Sequence, residues 1–332
     1  MDRLTDVAQL EGWVPARFFW REEKPMVDWC YLGKQRFDAA FFEHTIGKCM
    51  VRPFNLLFRQ QTPIEVLEEW HQIRPGLKPT GFIFHMSRCG STLASQMLTA
   101  IPTNVVISEA RPIDSTLRAR FAPTETTDDQ RITWLRWMVS ALGQRWLGGE
   151  RNFFIKFDAW NALDLPLIRR AFPEVPWIFL YRDPVEVLVS HMNNRGPHMI
   201  PGVLTPNLFG MDLQTAFSLP PEDYCAKVLA SICTAAIEYC RYGGRLVNYR
   251  QLPDVVPETL LKYFNLRCSD DEIARVGAAA KRDAKNPSAP FQNDSQKKRA
   301  KATEAIRAAA DKWLYPIFEN LEVARQEQPA IT

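Results

Sequence analysis

From residue 81 onward, brief runs of almost wholly apolar residues alternate with longer stretches in which apolar positions recur every three or four residues. The brief runs are GFIFHM (81–86), NVVIS (104–108), RNFFIKF (151–157), VPWIFLYRD (175–183) and RLVNY (245–249). Their length, and the lack of polar alternation, predict strands buried on both faces. The intervening stretches carry helix signals. One helix runs from Ser91 to Ala100. TTDDQRITWLRWMVSALGQRWL opens on Thr and Asp, places Ile132, Leu135, Met138, Val139 and Leu142 at helical spacing, and is followed by Gly148 and Gly149. ALDLPLIRRAF, PVEVLVSHMNN (proline in its first turn) and EDYCAKVLASICTAAIEYCRYGG follow, and DSQKKRAKATEAIRAAADKWLYPIFENL reads as one C-terminal helix. Strands alternating with helices predict an α/β fold: a central parallel sheet flanked by helices on both faces, of the P-loop nucleotide-binding type.

Residues 1–76 show no such alternation and are read as an N-terminal extension packed on a main domain spanning 77–332. Within it MVDWCYLG (26–33) and KCMVRPFNLLFR (48–59) read as strands, and TPIEVLEEWHQI (62–73) as a helix after Thr-Pro. Composition narrows the function classes. A hydrophobic content of 46% with 11% aromatics suffices for a packed core, and a net charge of +3 is too small to argue for nucleic acid. No apolar run has signal-peptide length at the N-terminus, and none approaches the ~18 residues of a membrane span. The seven cysteines, Cys30, Cys49, Cys89, Cys225, Cys233, Cys240 and Cys268, form no CxxC pair. They read as reduced thiols in a cytoplasmic protein, with no metal site.

The chemistry is concentrated in FIFHMSRCGSTLASQML (82–98), where a strand runs into a helix through a polar loop. Ligands of open parallel sheets sit at such strand ends. Backbone N–H groups and the helix dipole at Ser91 attract an anion. Gly90 allows close approach, Ser91 and Thr92 add hydroxyls, and Arg88 adds a planar cation. The plain alternative is a Gly-Ser turn. Against the nucleotide-triphosphatase pattern GxxxxGK[ST], His85 takes the first glycine's place and Ser91 the lysine's. The cation has moved to Arg88, which disfavours Mg-ATP chemistry.

A second element, IFLYRDPVEVLVSHM, ends a strand at Arg182 and carries Ser190 about two helical turns further on. A second phosphate fits between such a cation and hydroxyl; the plain alternative is a capping Asp183 beside a surface arginine. Together these segments resemble the sulfotransferases that use 3′-phosphoadenosine 5′-phosphosulfate. MSRCGSTL is similar to that family's 5′-phosphosulfate loop, P-[KR]-S-G-T-T-[LW], and YRDPVEVLVSHM to its 3′-phosphate segment, R-[DN]-P-x-x-[VA]-x-x-S. IKFDAWNALDLPLIRRAFPEVPWIFLYRDP and VNYRQL…PETLLKYFNL follow the family's run as well, so the resemblance covers about residues 80–267. Departures are Met86 for the loop proline, Cys89 for a serine, Arg250 and Gln251 for an acidic pair, and no RKG segment; AAAKRDAKNPSAPFQND is its rough substitute.

The resemblance implies co-substrate contacts at Ser87, Arg88, Cys89 (through its backbone), Gly90, Ser91, Thr92, Arg182, Ser190, Tyr249 and Lys285, with Lys281 and Arg282 as further candidates. It implies that Arg88 and Lys156 stabilise the transferring group, and that a carboxylate, Glu109 or Asp158, is the base, Glu109 being favoured because its strand follows the loop's own helix. An ion pair of Glu109 with Arg111 or Arg88, and a capping role for Asp158, are the structural alternatives. His191 and His198 read as packed or solvated. The segment 193–211, rich in Gly and Pro, reads as a lid over the acceptor, and Lys297-Lys298-Arg299 as a solvated helix face. The expected function is sulfuryl transfer to a hydroxyl or amine of a small-molecule, lipid or glycan acceptor, without metal and compatible with a homodimer. An ATP-dependent P-loop kinase and a silent nucleotide-binding scaffold are the competing readings.

Overall fold

The computed structural model describes residues 7–122, 124–286 and 288–331, so the first six residues of the expected extension lie outside it. Among the described residues the strands fall in two sheets. β1 (Trp13–Arg21), β2 (Lys24–Tyr31) and β3 (Gln60–Pro63) pair antiparallel in that order. The five apolar runs supply β4 (Gly81–His85), β5 (Asn104–Ser108), β6 (Asn152–Lys156), β7 (Trp177–Tyr181) and β8 (Gly244–Asn248). They make a central parallel sheet in the order β5-β6-β4-β7-β8, with helices around it. Every residue of β4, β5 and β7 is buried, which is why these strands read as continuous apolar runs.

The helices are α1 (Phe42–Met50), α2 (Pro53–Leu57), α3 (Val66–Ile73), α4 (Ser91–Thr99), α5 (Arg111–Leu117), α6 (Asp128–Leu142), α7 (Leu165–Ala171), α8 (Pro184–Asn193), α9 (Leu213–Ser218) and α10 (Pro221–Cys240), with further helices beyond, Asp270–Ala280 among them. Their end signals act as expected in α6, where Thr127 and Gln130 form a reciprocal capping box. Two expectations are corrected. Residues 48–59 are the end of α1, a turn and α2, not a strand. Pro53 cannot donate to a ladder, and buried Asn55 takes a neighbouring strand's part by bonding Tyr31 N, Tyr31 O and Cys49 O at 2.7, 2.9 and 2.9 Å. The single C-terminal helix is instead Ser295–Ala300, Glu304–Ala309, a wide turn at 310–314, and Tyr315–Gln326. Thr303 caps a new start by accepting Ile306 N–H, and Pro316 lacks the N–H that would continue the ladder.

The chain divides into two compact units, one of residues 1–82, 95–158 and 167–175, the other of 83–94, 159–166 and 176–332. In the first, β1 lies against α5 and α6, and α3 against α6. Thr80 N–H donates to Phe153 O at 2.6 Å, starting β4 beside β6. In the second, α10 lies against α8, the turn 159–164 and the C-terminal helix. Tyr181 Oη and Asn248 Nδ2 both donate to Glu322 Oε1, which holds that helix to the ends of β7 and β8. All seven cysteines are free thiols, and burial pushes Cys30 and Cys225 up to about 12.

Candidate active site

In the first unit, strand register builds the carboxylate cluster. β5 and β6 run in parallel from Asn104 opposite Asn152 to Ser108 opposite Lys156. Their ends are therefore level, and Glu109, one residue past β5, donates its N–H to Lys156 O at 2.7 Å. Glu109 holds a φ of 54°, a left-handed conformation that costs a non-glycine residue about 1 kcal/mol or more. The fully buried Lys156 ammonium is ion-paired with the Glu109 carboxylate and lies 5.1 Å from the centre of the Phe41 ring. A buried ammonium requires such a partner. Level strand ends bring Glu109 to Lys156, while Arg111, one of its anticipated partners, faces Glu43 at 3.7 Å. Asp158 follows two residues after Lys156. Burial first, then the charges of Glu109 and Asp114, hold its carboxyl well above the usual carboxylate range, against the pull of Lys156 and Arg118. Asp114, bound to Arg118 at 2.9 Å, was not singled out from the sequence; its spacing of four from Arg118, which directly follows α5, was the available signal.

In the second unit, the loop after β4 curls tightly. Met86 N–H donates to Leu180 O (3.0 Å) and Ser87 N–H to His85 Nδ1 (3.0 Å). Ser87 and Arg88 both have positive φ, 78° and 52°, and Gly90 follows at 87°. Two successive strained non-glycine residues at a strand-to-helix junction mark a shape held by its surroundings. Ser87, Ser91 and Thr92 are buried at the start of α4. Cys89 is buried, and its thiol donates to Leu180 O at 3.1 Å, so its side chain is engaged by β7 and its backbone alone serves the loop. The glycine at 90 is demanded by packing as well as by φ, since a Cβ there would fall 2.7 Å from Leu252 Cδ1 and 2.8 Å from the Tyr249 ring. Arg88 donates to Asn194 O at 2.8 Å, spanning from the loop to the end of α8.

The neighbouring strand end supplies Arg182, whose backbone N–H lies 3.2 Å from Met86 Sδ. Arg182 is buried rather than a surface arginine, whereas Asp183 does cap α8 by accepting Glu186 N–H at 3.2 Å. The guanidinium donates to Glu186 Oε2 (2.6 Å), Asp294 Oδ1 (2.6 Å) and Ser295 Oγ (3.1 Å), and its carbon lies 3.8 Å over the Tyr249 ring. Asp294 also bonds Lys298 at 2.9 Å, so one carboxylate bridges two cations. Arg299 pairs with Glu186 at 2.9 Å and Asp183 at 3.0 Å. Within the expected solvated face at 297–299, Lys297 and Arg299 are exposed, but Arg299 also pairs with the acids at the start of α8, and the correction is Lys298, which is drawn in to Asp294. Glu186, Asp294 and Ser295 were missed in the sequence, although Glu186 stands four residues after Arg182 and Asp294 four before Lys298.

Ser190 is half-buried on α8. Next to it, His191 is fully buried, and neither ring nitrogen has a hydrogen-bond partner among the described residues. Its ring meets that of His198 edge-on at 5.5 Å, and His198 meets Trp160 at 5.1 Å. Burial, then the charges of His198, Arg88, Lys285 and Lys298, push His191 down to about 2. Lys285 itself is exposed, with its backbone N–H donating to Asp283 Oδ1. The second unit thus brings together the loop 87–92, Arg182 and Tyr249, and the first brings together Glu109, Lys156 and Asp158.

No protein-family model and no curated protein matches the chain. Among solved structures, similarity is found to sulfotransferase STF9 from Mycobacterium avium, with 14% identity, TM-score 0.45, and coverage of 77% of this chain and 81% of that one. The sulfotransferase domain of the Synechococcus PCC 7002 olefin synthase has 14% identity and TM-score 0.41 over 77% of this chain and 97% of its own. Retinol dehydratase in a complex with retinol and PAP has 14% identity and TM-score 0.34 over 82% and 92%.

Proposed function

We propose that the chain is a sulfotransferase that moves a sulfuryl group from 3′-phosphoadenosine 5′-phosphosulfate to a hydroxyl or amine of a small-molecule, lipid or glycan acceptor. The observation that carries this reading is the pair of anion-seeking features on adjacent strand ends, the strained loop 87–92 after β4 and buried Arg182 after β7, joined through Met86. A loop with one basic and three hydroxyl side chains, Arg88, Ser87, Ser91 and Thr92, at a helix N-terminus suits a phosphate. Arg182 and Lys298 suit a second one, because Asp294 already supports the two-cation bridge that a phosphate makes; the donor's 3′-phosphate takes that bridge when Asp294 swings out.

The co-substrate supplies the sulfuryl group on a phosphate leaving group. Arg88 holds positive charge beside the leaving phosphate, where preorganised charge lowers the barrier most. Glu109 takes the acceptor's proton, with the Lys156 ammonium as its ion-pair partner. Asp158, its proton retained by burial and by its acidic neighbours, serves the same cluster as a neutral donor. Titration calorimetry with adenosine 3′,5′-bisphosphate and with Mg-ATP tests the assignment. Tighter binding of the bisphosphate is expected; preference for Mg-ATP would instead establish the phosphotransferase reading.

A further inference from the structure

The segment linking α1 to β3, which includes α2, exposes an unusual amount of apolar surface. Val51, Leu56, Leu57 and Phe58 are 70, 58, 76 and 54% exposed, all within eight residues. Scattered apolar residues on a surface need no explanation, but a contiguous cluster marks a contact. This cluster is also held in shape. Asn55, 2% exposed, points inward and makes the three backbone bonds to Tyr31 and Cys49 described above. Phe54 packs on Tyr31 at 4.7 Å and on Trp13 at 5.8 Å, and Phe58 packs on Phe54 at 5.0 Å. An aromatic ladder therefore rises from the β1–β2 face and carries the aliphatic tip outward.

Charge identifies the occupant. Lys48, Arg52 and Arg59 are exposed around the tip, and no Asp or Glu occurs from residue 44 to residue 64. Arg52 donates to Gln35 Oε1, a neutral acceptor, so its charge is not offset there. A second copy of the chain would oppose this basic ring with itself in a two-fold contact, which like charges disfavour. An aliphatic tip gains nothing from a nucleic-acid backbone. Aliphatic residues at the tip, aromatics behind them and cations at the rim match the layers of an anionic lipid surface: acyl boundary, interface and headgroup.

We propose that residues 48–59 dock this protein on an anionic membrane surface. Docking is peripheral, and no helix among the described residues is long and apolar enough to cross a membrane. Each rim cation contributes about fivefold to partitioning, and burial of the leucines sets the remainder. The inference stands apart from the sulfuryl-transfer reading.

Flotation of the full chain with vesicles tests it, using phosphatidylcholine containing about one-third phosphatidylserine against phosphatidylcholine alone. The wild type is expected to float with the anionic vesicles and at least ~10-fold less with the neutral ones. Leu56→Ser/Leu57→Ser and Arg52→Gln/Arg59→Gln should each lose at least ~10-fold on anionic vesicles, with unchanged thermal midpoints because all four positions are exposed. Wild type remaining unbound to anionic vesicles overturns the proposal, as does a leucine variant that binds as well as wild type. A dimer in light scattering that the leucine substitutions dissolve, without vesicle binding, overturns it in favour of a second copy.

Discussion

Asp294 and a nucleotide phosphate compete for Arg182 and Lys298, so neutralising the carboxylate should favour the ligand. Asp294→Asn is expected to tighten adenosine 3′,5′-bisphosphate about 10-fold, the scale of one charge-assisted hydrogen bond, and to leave 5′-AMP unchanged. Arg182→Ala should do the reverse, weakening the bisphosphate far more than 5′-AMP; equal losses for both ligands in calorimetry would place the 3′-phosphate elsewhere. In the carboxylate cluster, Glu109→Gln is expected to lower turnover at least ~100-fold with nucleotide affinity kept. It also leaves the buried Lys156 without its counter-ion, at a cost of about 3 kcal/mol that a denaturant melt will register. Turnover unchanged in that variant would remove Glu109 from the chemistry.

The junction between β4 and α4 depends on one glycine. Gly90→Ala places a Cβ against Leu252 and Tyr249 at a φ of 87°, and is expected to destabilise the protein by about 2 kcal/mol and weaken the bisphosphate in calorimetry. A variant of wild-type stability and affinity would show that the loop relaxes freely. How legible this element was follows from where its information lies. The strand-loop-helix signal was local: an apolar run, Arg88, Gly90 and hydroxyls, all within residues 82–92. The five parallel strands and the RDP segment were legible for the same reason. What escaped reading depends on contacts far apart in sequence. Asp294 reaches Arg182 across 112 residues, and Asn55 replaces a strand partner through Tyr31, 24 residues away. Apolar content at 48–59 argued for a strand, yet that surface faces outward, and no periodicity could show which way it turned. Glu109 was located because it ends a strand, but its ion-pair partner depended on the register between β5 and β6.

Proton binding couples these local features to the stability of the whole chain, with opposite signs in the two units. His191 is held down to about 2, so it stays neutral in the fold while the unfolded chain binds a proton below about pH 6.5. Its contribution is complete above that pH and is lost as pH falls, by about 1.4 kcal/mol per unit. Asp158 is held well above the ordinary range, so the fold keeps a proton that the unfolded chain releases above about pH 3.9. Its contribution is complete below that pH and is lost as pH rises towards its folded value, with the same slope. From about pH 4 up to the lower of 6.5 and the folded value of Asp158, the unfolded chain has gained a proton at one site and released one at the other, and the two slopes cancel. Urea melts across this window should find the wild type nearly flat in these two contributions. His191→Leu, which removes a ring with no hydrogen bond to lose, should make stability fall as pH rises. Asp158→Asn should make it fall as pH drops, and the double variant should be flat again if the two units unfold together. Parallel slopes in all four proteins would mean that neither group changes its protonation on unfolding, and the assignment of Asp158 as a neutral donor would fall with them.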